Sequence, residues 1–149
     1  MRANGLLICF LVLIMAAAGS AQKQPAPTDT SAGGPIRSSA AYAEMLLHKT
    51  DLESDLDALL VDYTEDYPKV KDIRLELGFL KTEMDRLLAI KPADASKLSQ
   101  ALGKLMLRKV SLETQVDTLR TQYKDDHPDV RKARKKVETY EAAIKEILG

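Results

Sequence analysis

The chain has 149 residues with 22 basic and 22 acidic side chains, 30% charged residues, few aromatics and no Trp. The near-neutral balance argues against a nucleic-acid partner. The charge-rich, aromatic-poor composition suits long solvated helices better than a globular α/β enzyme core.

The N-terminus reads as a secretory signal over residues 1–21. Arg2 gives a short positive region, Gly5 to Ala18 is an uninterrupted apolar run, and Gly19-Ser20-Ala21 before Gln22 fits a small-x-small cleavage site. The run is shorter than the roughly 20 residues a spanning helix needs. The expectation is therefore a secreted or periplasmic protein with no stable transmembrane anchor after cleavage. Cleavage removes Arg2 and leaves 21 basic against 22 acidic residues, a net charge of −1. The only cysteine, Cys9, lies inside the signal. The mature chain then has no disulfide, no thiolate zinc site and no thiol catalysis.

Residues 22–41 are rich in Pro, Ala, Ser, Thr and Gly without hydrophobic periodicity, and predict a flexible linker. Ser38 or Ser39 is the expected cap of the first helix. From there the chain repeats itself at an offset of 60 residues: Leu52, Leu59, Tyr63, Asp66, Pro68 and Val70 match Leu112, Leu119, Tyr123, Asp126, Pro128 and Val130. The arms carry heptad spacing. Leu52, Leu56, Leu59 and Tyr63 lead into the first proline, and Val70, Ile73, Leu77, Leu80, Met84 and Leu87 follow it. A mean step of 3.5 is the seam of a left-handed coiled coil.

Proline inside a helix costs ~3 kcal/mol or more, whereas at the first helical position it is well tolerated. The chain is thus expected to fold back at Pro68 and Pro128, with Asp66 or Asp126 and their neighbours as caps. The fold class is all-α: two tandem antiparallel coiled-coil hairpins over 42–90 and 95–149, joined by a connector at 91–94 with Asp94 as the next N-cap. Because the heptad phase runs unbroken through both prolines, two long proline-kinked helices are the alternative. Leu98 and Leu102 outrun their return arm, so they are expected to meet the first hairpin or another subunit.

Single residues invite several readings. Lys49 and Lys109 fall at equivalent core positions, where a snorkelling side chain that buries only its stem is expected. His48 and His127 are too far apart along one hairpin to share a metal, and His127 beside Asp125, Asp126 and Asp129 reads as a solvated turn. Arg131, Lys132, Arg134, Lys135 and Lys136 form the one dense basic run, a candidate anion-binding patch or a solvated face paired with nearby acids. There is no phosphate-binding Gly-rich loop, no Gly-x-Ser-x-Gly and no His-Glu-x-x-His. Neither a catalytic residue nor a metal or cofactor is expected.

The shared turn pattern is Tyr-x-x-x-(Tyr/His)-Pro-x-Val, carried by Tyr63, Tyr67, Pro68 and Val70 and again by Tyr123, His127, Pro128 and Val130. With heptads on both sides, the second copy resembles the periplasmic coiled-coil region of bacterial polysaccharide chain-length determinants, the polysaccharide co-polymerases. The first copy departs from the family with Tyr67 in place of His. The resemblance covers the helical arms only; the family's two membrane spans, its α/β part and its kinase domain have no counterpart here. It implies a helical module that packs against other helices in the cell envelope, by self-association or with an envelope protein. The expected function is a non-enzymatic interaction or scaffold protein, accessory to polysaccharide export. The alternative is a periplasmic chaperone-like or stress- or metal-responsive helical binding protein.

Overall fold

A computed structural model describes residues 34–149, and the signal segment lies outside them. The described residues are all helical, with no strand: α1 (Gly34–Arg37), α2 (Ala40–Asp62), α3 (Pro68–Leu88), a short 3-10 helix (Pro92–Lys97), α4 (Gln100–Gln122) and α5 (Pro128–Leu148). None of these helices is long and apolar enough to cross a membrane.

The 60-residue offset holds from cap to cap. Ser39 and Ser99 cap α2 and α4, accepting the amides of Tyr42 at 3.2 Å and Leu102 at 3.3 Å. Each hydroxyl satisfies one of the amides that a helix start leaves without a partner. Both helices end one residue before a tyrosine, and the next helix starts on the proline. Asp94 therefore does not cap the second unit. It sits in the 3-10 helix, paired with Lys97 at 3.2 Å, and α4 begins at Gln100 rather than near Ala95. Asp66 and Asp126 are not caps either, since those positions fall to Tyr67 and His127.

Of the linker expected over 22–41, residues 22–33 lie outside those described, and the part from residue 34 on is corrected. Gly34–Arg37 is helical, Ile36 and Ala41 are buried, and Ser39 Oγ donates to the Ile36 carbonyl at 2.6 Å. Ile36 is the apolar anchor that composition alone obscured among its Gly, Pro and Ser neighbours.

α2 packs against α3 and α4, α3 also meets α4, and α4 runs along α5. One apolar core joins Met45, Leu52 and Leu56 of α2, Ile73, Leu80 and Leu87 of α3, and Leu102, Met106 and Val110 of α4. Leu98 and Leu102 are buried within it, and the Ala41 amide donates to the Leu98 carbonyl at 3.2 Å. Of the two coverings expected for these leucines, the first repeat or another subunit, the first repeat is the one seen, because the 3-10 helix turns them onto the start of α2.

α4 comes close against α2 at Gly103. A Cβ built there would lie 3.0 Å from Ala41 Cα and 3.1 Å from its carbonyl oxygen, both backbone atoms that cannot swing aside. Gly103→Leu is expected to destabilise the protein by about 1–3 kcal/mol, although leucine is the better helix former. Denaturant titration against wild type measures it.

Candidate interaction site: the two turns and the interhelical charge cluster

The two proline turns repeat in geometry as well as in sequence. Tyr63 and Tyr123 leave their helices in extended conformation (φ −123°, ψ 155° and φ −130°, ψ 153°), each still donating its amide four residues back at 2.9 Å. The rings of Tyr63 and Tyr67 stack with centroids 4.1 Å apart, as do those of Tyr123 and His127. Pro68 and Pro128 then take the first helical position, and Val70 and Val130 are fully buried. The pattern Tyr-x-x-x-(Tyr/His)-Pro-x-Val is thus a ring stack over a tight turn, a proline that starts the next helix, and a valine that pins it to the core.

Acid–arginine pairs close both turns at equivalent positions, Glu65 with Arg74 and Asp125 with Arg134 at 2.6 Å. Arg120 adds a second contact to Asp125 at 2.9 Å. Hydrogen bonding from the Arg134 guanidinium holds the Asp125 carboxyl below its usual range. The copies differ at the cap. His127 Nδ1 accepts the Asp129 amide at 3.3 Å, whereas Tyr67 makes no side-chain cap. His127→Ala removes both stack and cap, with an expected loss of about 1–2 kcal/mol. His127→Tyr keeps the stack and should lose less; thermal melts of the two variants separate the contributions.

Around the second turn the basic run is largely engaged. Arg134 belongs to Asp125, Lys135 meets Glu138 at 2.9 Å, and Lys132 lies 3.9 Å from Asp129. Arg131 and Lys136 have no carboxylate within ion-pair distance among the described residues. Pro128, Arg131, Lys132, Arg134, Lys135 and Glu138 line one open groove there. His48 lies far from His127 in sequence and contacts Glu76 of α3 at 3.1 Å. Among the described residues no group of three or more His, Cys, Asp or Glu could hold a metal ion.

The strongest polar feature lies between the helices. Lys109 of α4 is 8% exposed and does not snorkel as expected. Its ammonium donates to Glu83 of α3, itself 3% exposed, and lies 3.2 Å from Glu113 and 3.4 Å from Glu141 of α5. Arg86 grips Glu141 with two hydrogen bonds of 2.9 and 3.1 Å. Its guanidinium is also 3.6 Å from Glu83 Oε2, which accepts no hydrogen bond among the described residues. Five charged groups from three helices thus meet at one level. Lys49, the counterpart of Lys109, stays partly exposed and, among the described residues, pairs only with Glu53 along its own helix.

Burial works to lower the Lys109 ammonium, but its contacts with Glu83 and Glu113 outweigh that and raise it. The two partly buried carboxyls move in opposite directions. Burial pushes Glu113 up against the pull of Lys109, and hydrogen bonding from Arg86 holds Glu141 down. Glu141 therefore stabilises the fold at neutral pH, and that contribution is lost as pH falls below the ordinary glutamate range. Glu113 acts the other way, since protonating it relieves the fold as pH falls through its raised value toward that range. The melting temperature should pass through a maximum on the acid side of neutrality. In Glu113→Gln the rise should vanish while the fall remains.

Comparison with known proteins yields no match to any family model, curated protein or solved structure.

Proposed function

We propose that this chain is a non-enzymatic interaction or scaffold protein of the cell envelope, secreted or periplasmic, built as two tandem antiparallel coiled-coil hairpins and accessory to polysaccharide export. The observation that carries this reading is the residue-for-residue repetition of the turn: ring stack, acid–arginine pair, helix-starting proline and buried valine, twice at the same offset. A duplicated turn of this kind sets the lengths of packed helices and presents two similar ends with part of Tyr63, Tyr67 and Tyr123 in solvent. Exposed tyrosines favour protein contact because they bring large area at small entropic cost. The turn string's likeness to chain-length determinants supports the envelope setting.

Photo-crosslinkable residues at Tyr63 and Tyr123 in living cells test it. Crosslinks to an envelope component of the export machinery, or to a second copy, are expected; neither would defeat the reading. The exported protein should begin at Gln22.

A chaperone-like binding protein is the second reading. It is favoured by an open groove of about 310 Å³ where Phe79, Val116 and Val137 form an apolar floor between charged rims. It requires purified protein to suppress client aggregation, which a scaffold need not do.

A further inference from the structure

The two repeats are equivalent in sequence but not in burial. Gly103 rests on Ala41, and Met106, Val110 and Thr114 follow it at helical spacing on the same face of α4, all buried. Lys109, beside that face, reaches Glu83. By this face the second repeat docks onto the first.

Its counterpart on α2, at the 60-residue offset, is Ala43, Leu46, Thr50 and Ser54, and all four are exposed. Leu46 is 43% exposed and its neighbour Leu47 61%. Away from the ends of the turns, these are the only large exposed hydrophobics among the described residues. The pair Lys49–Glu53 shows the same contrast, with side chains 36% and 49% exposed against 10% and 24% for Lys109–Glu113. α2 therefore carries a second docking face of the type α4 uses, without an occupant among the described residues.

The receiving surface is also duplicated. Ala41, Met45, Leu80 and Leu87 of the first repeat correspond to Ala101, Leu105, Tyr140 and Ile147 of the second. The first set is buried and the second is exposed or half-buried. Where the first repeat offers Glu83 to Lys109, the second has Ala143, and the carboxylate nearest to it along α5 at helical spacing is Glu146. Glu146 is exposed and has no ion-pair partner among the described residues, so it suits Lys49.

We infer that a second copy of this chain docks its α2 face onto the α4–α5 face of the first, continuing between molecules the contact that joins the two repeats within one. The two faces differ, so the contact is head-to-tail and closes into a ring or propagates as a stack. This rests on the interaction reading above and names the partner.

Gly103 rests on Ala41 within the chain, so their counterparts Ala43 and Ala101 should face each other between chains, with the Ala43 methyl spacing the helices slightly further apart, in the span a disulfide allows. Full-length Ala43→Cys and Ala101→Cys proteins, each also Cys9→Ser, are mixed and oxidised. A disulfide-linked dimer is expected from the mixture and from neither protein alone. Adding Leu46→Lys to the Ala43→Cys protein should cut its yield about tenfold or more while leaving the melting temperature unchanged.

Three results would overturn the inference. The first is no mixed dimer, and the second is an equal dimer from Ala43→Cys alone. The third is an Ala43→Cys protein whose introduced thiol is shielded from alkylation in a monomer, which would place residues 1–33 on the face. A monomer whose turns still crosslink to an envelope protein removes self-stacking and leaves the interaction reading. Failure of both experiments removes both.

Discussion

Lys109→Met should lower stability by about 3–5 kcal/mol, the usual result of stripping one partner from a buried ion pair. For a chain of this size that is a fall in melting temperature on the order of 10–20 °C. The methionine keeps the aliphatic stem, so the loss is electrostatic. Glu83 stays almost fully buried, with Glu113 and Glu141 nearby, Arg86 left to face Glu83 and Glu141, and Lys145 reaching Glu141 alone. Replacing both partners behaves differently, because an apolar pair of similar volume removes the desolvation cost along with the attraction. Lys109→Met combined with Glu83→Leu should therefore return to within about 1 kcal/mol of wild type. A single variant as stable as the parent would mean that water already reaches Glu83.

The second large effect is expected at Leu102. Its side chain is fully buried in the core shared by both repeats, at the start of α4. Leu102→Ala should cost about 2–5 kcal/mol, from lost burial and the cavity left behind. Val61→Ala is the matched control: at 82% exposure it should change stability by no more than about 0.5 kcal/mol. Denaturant midpoints at unchanged m-value measure both. A cost below about 1 kcal/mol at Leu102 would leave the start of α4 unanchored by its own chain and restore it as a partner contact.

Much of the architecture was legible because helix signals in this chain are local. The heptads mark the all-helical composition, and the two prolines mark the helix starts at Pro68 and Pro128, whereas the starts of α1 and α4 were not legible. The turn motif was legible as a pattern, while its physical content, the ring stacks, needed coordinates. The errors fall where a local signal had a nearby competitor. Asp94 and Ser99 are both sound caps, and only the equivalence of Ser99 with Ser39 distinguishes them. Ile36 is a lone apolar residue in a linker-like stretch, and its burial depends on tertiary contacts that composition does not report.

The charge cluster was half visible. Lys109 at a core heptad position advertises a need for a carboxylate, but Glu83 and Glu141 sit beside their seams, where a solvated face is the default reading. Nothing in the pattern says which helix will supply the acid. The same limit explains Leu98 and Leu102: periodicity shows that they must be covered, and only the packing of α4 on α2 shows by what.

The fold-back at Pro128 is tested most directly by a distance between spin labels at Arg108 and Ala142, the exposed neighbours of the Lys109–Glu141 ion pair. With the labelled protein diluted in unlabelled chain, antiparallel packing of α4 and α5 predicts one population at about 10–20 Å, helix packing distance plus the label arms. A continuous kinked helix would place the labels roughly 50 Å apart, and a dominant population there would contradict the tandem-hairpin architecture.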